Sequence, residues 1–177
     1  MAFVPRTFRV RRRAPRRRAV AAASISLAGA QSNGATGLSA RIGVFLPTNS
    51  LGSDLGTAWT AFGLDYKIST LSASVPGVGT QSYFGISADY YSFGGDNDLP
   101  VALTYNLRQG PVVFSAGIGP DFRNAGDLTG NGVGLGEQVA VAYDLGSGSV
   151  PLFIEAKYFF SSRPELNGAA VYLGVRF

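Results

Sequence analysis

From Leu38 to Phe177 apolar and polar residues alternate in short runs separated by turn-forming residues. A period of two marks strands with one apolar face, and the pattern occurs eight times. The first run is Leu38 to Leu46, with Leu38, Ala40, Ile42, Val44 and Leu46 on one face and Ser39, Arg41, Gly43 and Phe45 on the other. Trp59 to Ile68 sets Phe62, Leu64 and Tyr66 against Gly63, Asp65 and Lys67. Gln81 to Tyr91 sets Phe84, Ile86 and Tyr90 against Gly85, Ser87 and Asp89. Leu99 to Arg108 sets Val101, Leu103 and Tyr105 against Thr104, Asn106 and Arg108. The remaining runs are Val112 to Gly119, Val133 to Asp144, Leu152 to Phe160 and Ala169 to Phe177. No convincing helix follows the N-terminal segment.

The connections alternate in character. "PTNSLGSDLGTA", "SFGGDNDL", "GPDFRNAGDLTGNG" and "SSRPELNG" are polar and predict four longer loops, whereas "RQGP" and "LGSGSVP" are tighter. The link from Ile68 to Thr80 exceeds that pattern, so strands two and three are expected to extend into it. Long links on one side and short ones on the other suit an up-and-down meander. Asp96, Asp98, Asp121 and Asp127 fall in the polar links and read as turn-formers, with weak cation binding as a lesser alternative.

The polar face differs from an ordinary water-exposed sheet. It is crowded with Gly43, Gly63, Gly85, Gly117, Ala140 and Gly174, and small residues suit the inside of a narrow barrel. Its charges nearly balance: Arg41, Lys67, Arg108, Lys157 and Arg176 against Asp65, Asp89, Asp144 and Glu155. A closed interior requires that, because unpaired buried charge is costly. On the apolar face Tyr66, Tyr90, Tyr105, Tyr143, Tyr158, Phe160 and Phe177 recur near run ends, as in the aromatic girdles at a membrane's two interfaces. Lipid offers no hydrogen-bond partners, so a sheet that spans it must close on itself. The fold expected is all-β, an eight-stranded antiparallel up-and-down transmembrane β-barrel.

Composition narrows the chemistry. Hydrophobic residues make up 46 % and charged residues 15 % of 177, below the roughly 25 % charged share of soluble proteins. There is no cysteine and no histidine, which excludes disulfides, thiolate metal sites and histidine acid–base catalysis. No run reaches the roughly 18 apolar residues of a membrane-spanning helix. The net charge of +4 hides an asymmetry: eight of the 15 basic residues lie in the first 18 positions. From Gln31 onward, seven basic residues face 11 acidic ones. The basic segment leads into "AVAAASISLAGA", whose small residues Ala28 and Ala30 mark a signal-peptidase site. Residues 1–30 therefore read as a signal peptide and 31–177 as the barrel domain. The competing reading is a capsid-like or secreted β-sandwich whose Arg-rich arm binds nucleic acid.

Along residues 37–177 the chain resembles the small eight-stranded outer-membrane barrels of the OmpA, OmpX and OmpW kind. In that family the final strand alternates hydrophobic residues, ends in Phe and is read by the barrel-assembly machinery. Val171, Leu173, Val175 and Phe177 match that pattern. The resemblance implies residence in the cell outer membrane, contact with outer-membrane lipid and with the assembly machinery, and no cofactor. No nucleic-acid partner and no catalytic or metal site are expected. The function expected is a non-enzymatic structural or surface-contact role. Arg41, Asp65, Lys67, Asp89, Arg108, Asp144, Glu155, Lys157 and Arg176 would form a salt-bridge network in a side-chain-filled lumen. The alternative within the class is a narrow channel lined by those charges, for ions or small apolar solutes.

Overall fold

The computed structural model describes residues 36–49, 53–54, 56–75, 80–124, 131–146, 151–163 and 166–177. Eight strands follow in order: β1 Leu38–Pro47, β2 Trp59–Val75, β3 Thr80–Phe93, β4 Asp96–Gln109, β5 Val112–Asn124, β6 Gly132–Asp144, β7 Leu152–Ser161 and β8 Gly168–Arg176. Each pairs antiparallel with its neighbour, and β8 returns to β1, closing the sheet into a barrel. Closure matters because an open edge leaves a row of backbone donors and acceptors unpaired. The closing seam runs from Ser39↔Arg176 to Pro47↔Gly168. Phe177 extends it: its amide donates to the Leu38 carbonyl at 2.8 Å, and its carbonyl accepts from the Thr36 amide at 3.1 Å.

The expected strands are present, and several run further than the alternation suggested. β2 and β3 extend through Val75 and Thr80, with a register shift between Ile68 and Ser72. The link "SFGGDNDL" is no long loop. β3 and β4 pair up to Phe93↔Asp96, across a two-residue turn of Gly94 and Gly95 with φ of 61° and 102°. Two successive positive φ values match the twist of a tight hairpin and favour glycine. β5 likewise continues past Gly119 to Asn124. Four longer loops are thus reduced to three. Ala28 and Ala30, with the whole basic leader, and Asp127 lie outside the described residues.

Side chains are sorted opposite to a water-soluble domain. Thirty large hydrophobic residues are exposed among the described residues, and most, including Ile42, Leu64, Leu103, Ile118, Val139 and Leu173, face outward along the strands. Arg41, Asp89, Arg108, Asp144 and Lys157 are buried inside. A β-sandwich would bury the apolar face; this barrel presents it to its surroundings, which excludes the sandwich. An apolar outer band over a polar interior is the arrangement that lipid favours.

Candidate functional site

One interior cluster is built on β1, β2, β3, β7 and β8. Asp89 of β3 is its hub and is 1 % exposed. Arg41 of β1 donates to Asp89 Oδ1 through Nη2 at 2.7 Å and Nε at 3.2 Å. Lys157 of β7 reaches Asp89 Oδ2 at 2.6 Å, and the Tyr172 hydroxyl of β8 donates to Oδ1 at 3.1 Å. Arg41 also pairs through Nη1 with Asp65 and donates to Ser87 Oγ at 3.0 Å. Glu155 Oε1 lies 3.6 Å from Arg41 Nε and 3.5 Å from Lys157 Nζ. The Tyr172 ring sits beneath both cations, 5.0 Å from the Arg41 guanidinium. Gly63 makes room for this cluster: a Cβ there would collide with Arg41 and Asp89.

A second cluster lies towards the chain termini. Asp144 accepts from Arg176 at 3.0 Å and pairs with Arg108 at 2.8 Å. The Arg176 guanidinium rests 4.2 Å from the Phe153 ring centre, and Phe153 in turn fills the space left by Gly174. Across the two clusters four cations meet four carboxylates, so the charge of the two clusters balances. Isolated charges here would each cost several kcal/mol, roughly 3–5 when one partner of a pair is lost. Lys67 belongs to neither cluster. Its ammonium lies over the Tyr83 ring at 4.9 Å, at the rim.

Two layers close the lumen on either side of Asp89. Towards the loops, Phe45 stacks on Tyr91 at 4.3 Å, Trp59 meets Phe45 edge-on at 6.1 Å, and Phe159 lies 5.9 Å from Tyr91. Towards the termini, Phe153 packs with Val113 and Ala142. Between the clusters a cavity of about 50 Å³ is lined by Asn106, Ser115, Gln138 and Glu155 among others, enough for a few waters.

Sequence reasoning placed Asp98 and Asp121 in loops; both are instead buried inside the barrel, on β4 and β5. Asp98 lies in register with Arg123, and Asp121 accepts from Ser161 Oγ at 2.7 Å. Parity carried the signal: Asp98 is an even number of positions from Arg108, and Asp121 from Gly117. Turn chemistry masked it. Tyr172, a ligand of the hub, and Glu137, on the outward face of β6, were also missed as site residues. Among the described residues no group of three or more acidic or other ligating side chains is placed to hold a metal.

Val171, Leu173 and Phe177 project from the outer wall, and Val175, which is half-buried, shares that face.

No family model matches the sequence, and no curated protein matches it either. Among solved structures the chain is similar to the outer membrane enzyme PagL, at 14 % identity and a TM-score of 0.53. The match covers 79 % of this chain and 97 % of that one. At that identity the likeness shows the fold: a closed eight-stranded antiparallel barrel of the small outer-membrane type. It also corrects one expectation. The absence of histidine and of a recognisable motif was read as the absence of catalysis. A neighbour with this barrel is an enzyme, so the barrel fold is no ground for expecting a chain without activity.

Proposed function

We propose that the protein is an integral barrel of the cell outer membrane, related to the OmpA, OmpX and OmpW group, whose lumen is a structural plug. Its contacts with other molecules are then made by the outer wall and by the loop-bearing end. The observation that carries this reading is the Asp89 hub. Strands from opposite sides of the barrel are tied across the lumen by short charge-assisted bonds, with aromatic rings stacked above. Such a network supports a structural and surface-contact role over conduction, because an ion path needs groups that bind and then release. β8, through Val171, Leu173, Val175 and Phe177, is the segment that the barrel-assembly machinery would read, and outer-membrane lipid would cover the exposed apolar band. The leader, cleaved after Ala30, would direct export.

A second reading is favoured by the likeness to PagL: an enzyme of the same membrane. A sealed lumen confines any such activity to the wall and the loop end.

Membrane fractionation with mass spectrometry of the N-terminus tests localisation, and a gel run with and without heating tests closure. Outer-membrane protein that begins at Gln31 and shifts on heating is the expected result. Soluble protein retaining Arg6 to Arg18 would overturn the reading. Planar-bilayer recording is expected to show no steps, and steady single-channel currents would replace the plug with the channel.

A further inference from the structure

On the outward face of the strands, among the described residues, one side chain is charged: Glu137 of β6. It stands between Leu135 and Val139, in register with Ile118 of β5 and Phe160 of β7. A carboxylate facing hydrocarbon is unfavourable, and such residues usually mark a function. Its level is set by its neighbours. Phe160 packs 4.6 Å from Tyr158, whose hydroxyl meets Thr48 Oγ1 at 2.8 Å at the loop end. Glu137 thus lies close beneath the aromatic girdle on that side.

From Glu137 on β6 a recess of about 430 Å³ crosses β5 over Ala116 to Tyr105 on β4 and Phe84 on β3. Those two rings pack edge to face at 5.4 Å. The recess exists because Ala116 is small between the larger Tyr105 and Val139 of the adjacent strands. Phe84, Tyr105, Ala116 and Val139 are partners in one ladder row, so the groove crosses β3 to β6, and strands tilted by about 35–45° make such a row descend the wall. Apolar over its length and acidic at its head, it has the polarity of a lipid with one acyl chain in the groove and a cationic head at Glu137.

We propose that this recess binds a membrane lipid whose headgroup carries a primary amine. The inference rests on the membrane-barrel reading above. Charge complementarity selects the occupant. An ammonium group both neutralises the carboxylate and donates hydrogen bonds to it, whereas an anionic headgroup is repelled. A second copy of this chain is a poor occupant, since its described outer wall offers no lysine or arginine and would bring a second Glu137.

The test uses the full chain folded in micelles and exchanged into vesicles of equal parts phosphatidylethanolamine and phosphatidylglycerol. Lipid retained on the protein is then counted by native mass spectrometry. Wild-type protein is expected to retain the ethanolamine lipid at least about threefold over the glycerol lipid, a difference well within reach of one charge-assisted contact. Glu137→Gln should abolish that preference. Ala116→Phe, which fills the recess and leaves the carboxylate, should lower retention of both lipids. Equal retention by the wild type, or a preference surviving in Glu137→Gln, overturns the proposal. So does a dimer cross-linked through this wall. A heat-induced gel shift in the same samples reports the barrel separately, so failure of the lipid site is distinguishable from failure of the fold.

Discussion

Lys157 on β7 reaches across the barrel to Asp89 on β3, Nζ to Oδ2 at 2.6 Å. The two strands are not neighbours in the sheet, so this bond is a strut through the interior rather than part of the wall. Removing Asp89 leaves Arg41 and Lys157 buried without their shared carboxylate. Asp89→Asn is expected to lower stability by about 3–5 kcal/mol, read as a shift in the urea midpoint of the barrel in micelles. The double variant Asp89→Asn/Lys157→Met should recover part of the loss, because it removes one of the stranded charges. A single variant with unchanged midpoint would show that the strut contributes nothing.

Gly63 is fixed by the same cluster rather than by backbone conformation. Gly63→Ala forces a methyl group against the Arg41 guanidinium and Asp89. Overpacking at such a site is expected to cost about 1–3 kcal/mol. Gly94→Ala meets no atom within 4 Å but sits at φ 61°, so its smaller cost arises from the hairpin turn. Comparing the two unfolding midpoints separates crowding from turn strain.

The outward face can be tested with one charge. Leu173→Arg places a guanidinium on the apolar band, where half of Leu173 is exposed. In a bilayer this should cost about 2–4 kcal/mol near the midplane and less towards either interface. Folding into vesicles at graded urea measures it. A variant that folds as well as the wild type and becomes water-soluble would show that this face meets water.

The aromatic layer predicts a conductance phenotype. Truncating Phe45, Trp59 and Phe159 together to alanine removes the rings packed around Tyr91 above the hub. The triple variant is expected to gain a leak in planar bilayers while the wild type stays silent. If the variant is equally silent, the charged clusters alone seal the lumen.

Much of this architecture was legible because the apolar outer wall and the narrow polar lumen draw on alternate residues, and a strand displays alternate residues on opposite faces. Arg41, Asp89 and Lys157 could be assigned inward from parity alone. What parity could not supply was distance along the barrel. It grouped Lys67 with Arg41, although Lys67 lies at the rim. Turn-forming residues misled where strands run on beyond the apolar band: Asp98 and Asp121 sit among Gly, Asn and Pro, yet the ladder continues through them. Glu137 was missed for a related reason, since Gly132, Gly134 and Gly136 dilute the alternation just before it. The Asp89–Lys157 strut depends on how eight strands close, which no local pattern contains.

The seam between β1 and β8 has a consequence for the order of folding. Thr36 and Phe177 bond to each other although 141 positions apart. Hairpins between consecutive strands form early because the chain joining them is short, whereas the seam must bring together segments separated by most of the chain. Until then both edge strands would leave a row of backbone donors and acceptors unpaired. The barrel therefore has no stable half. Barrel formation and the final strand pairing are expected to be one cooperative event, which on the proposed membrane reading coincides with insertion, with the rate set by the seam between β1 and β8.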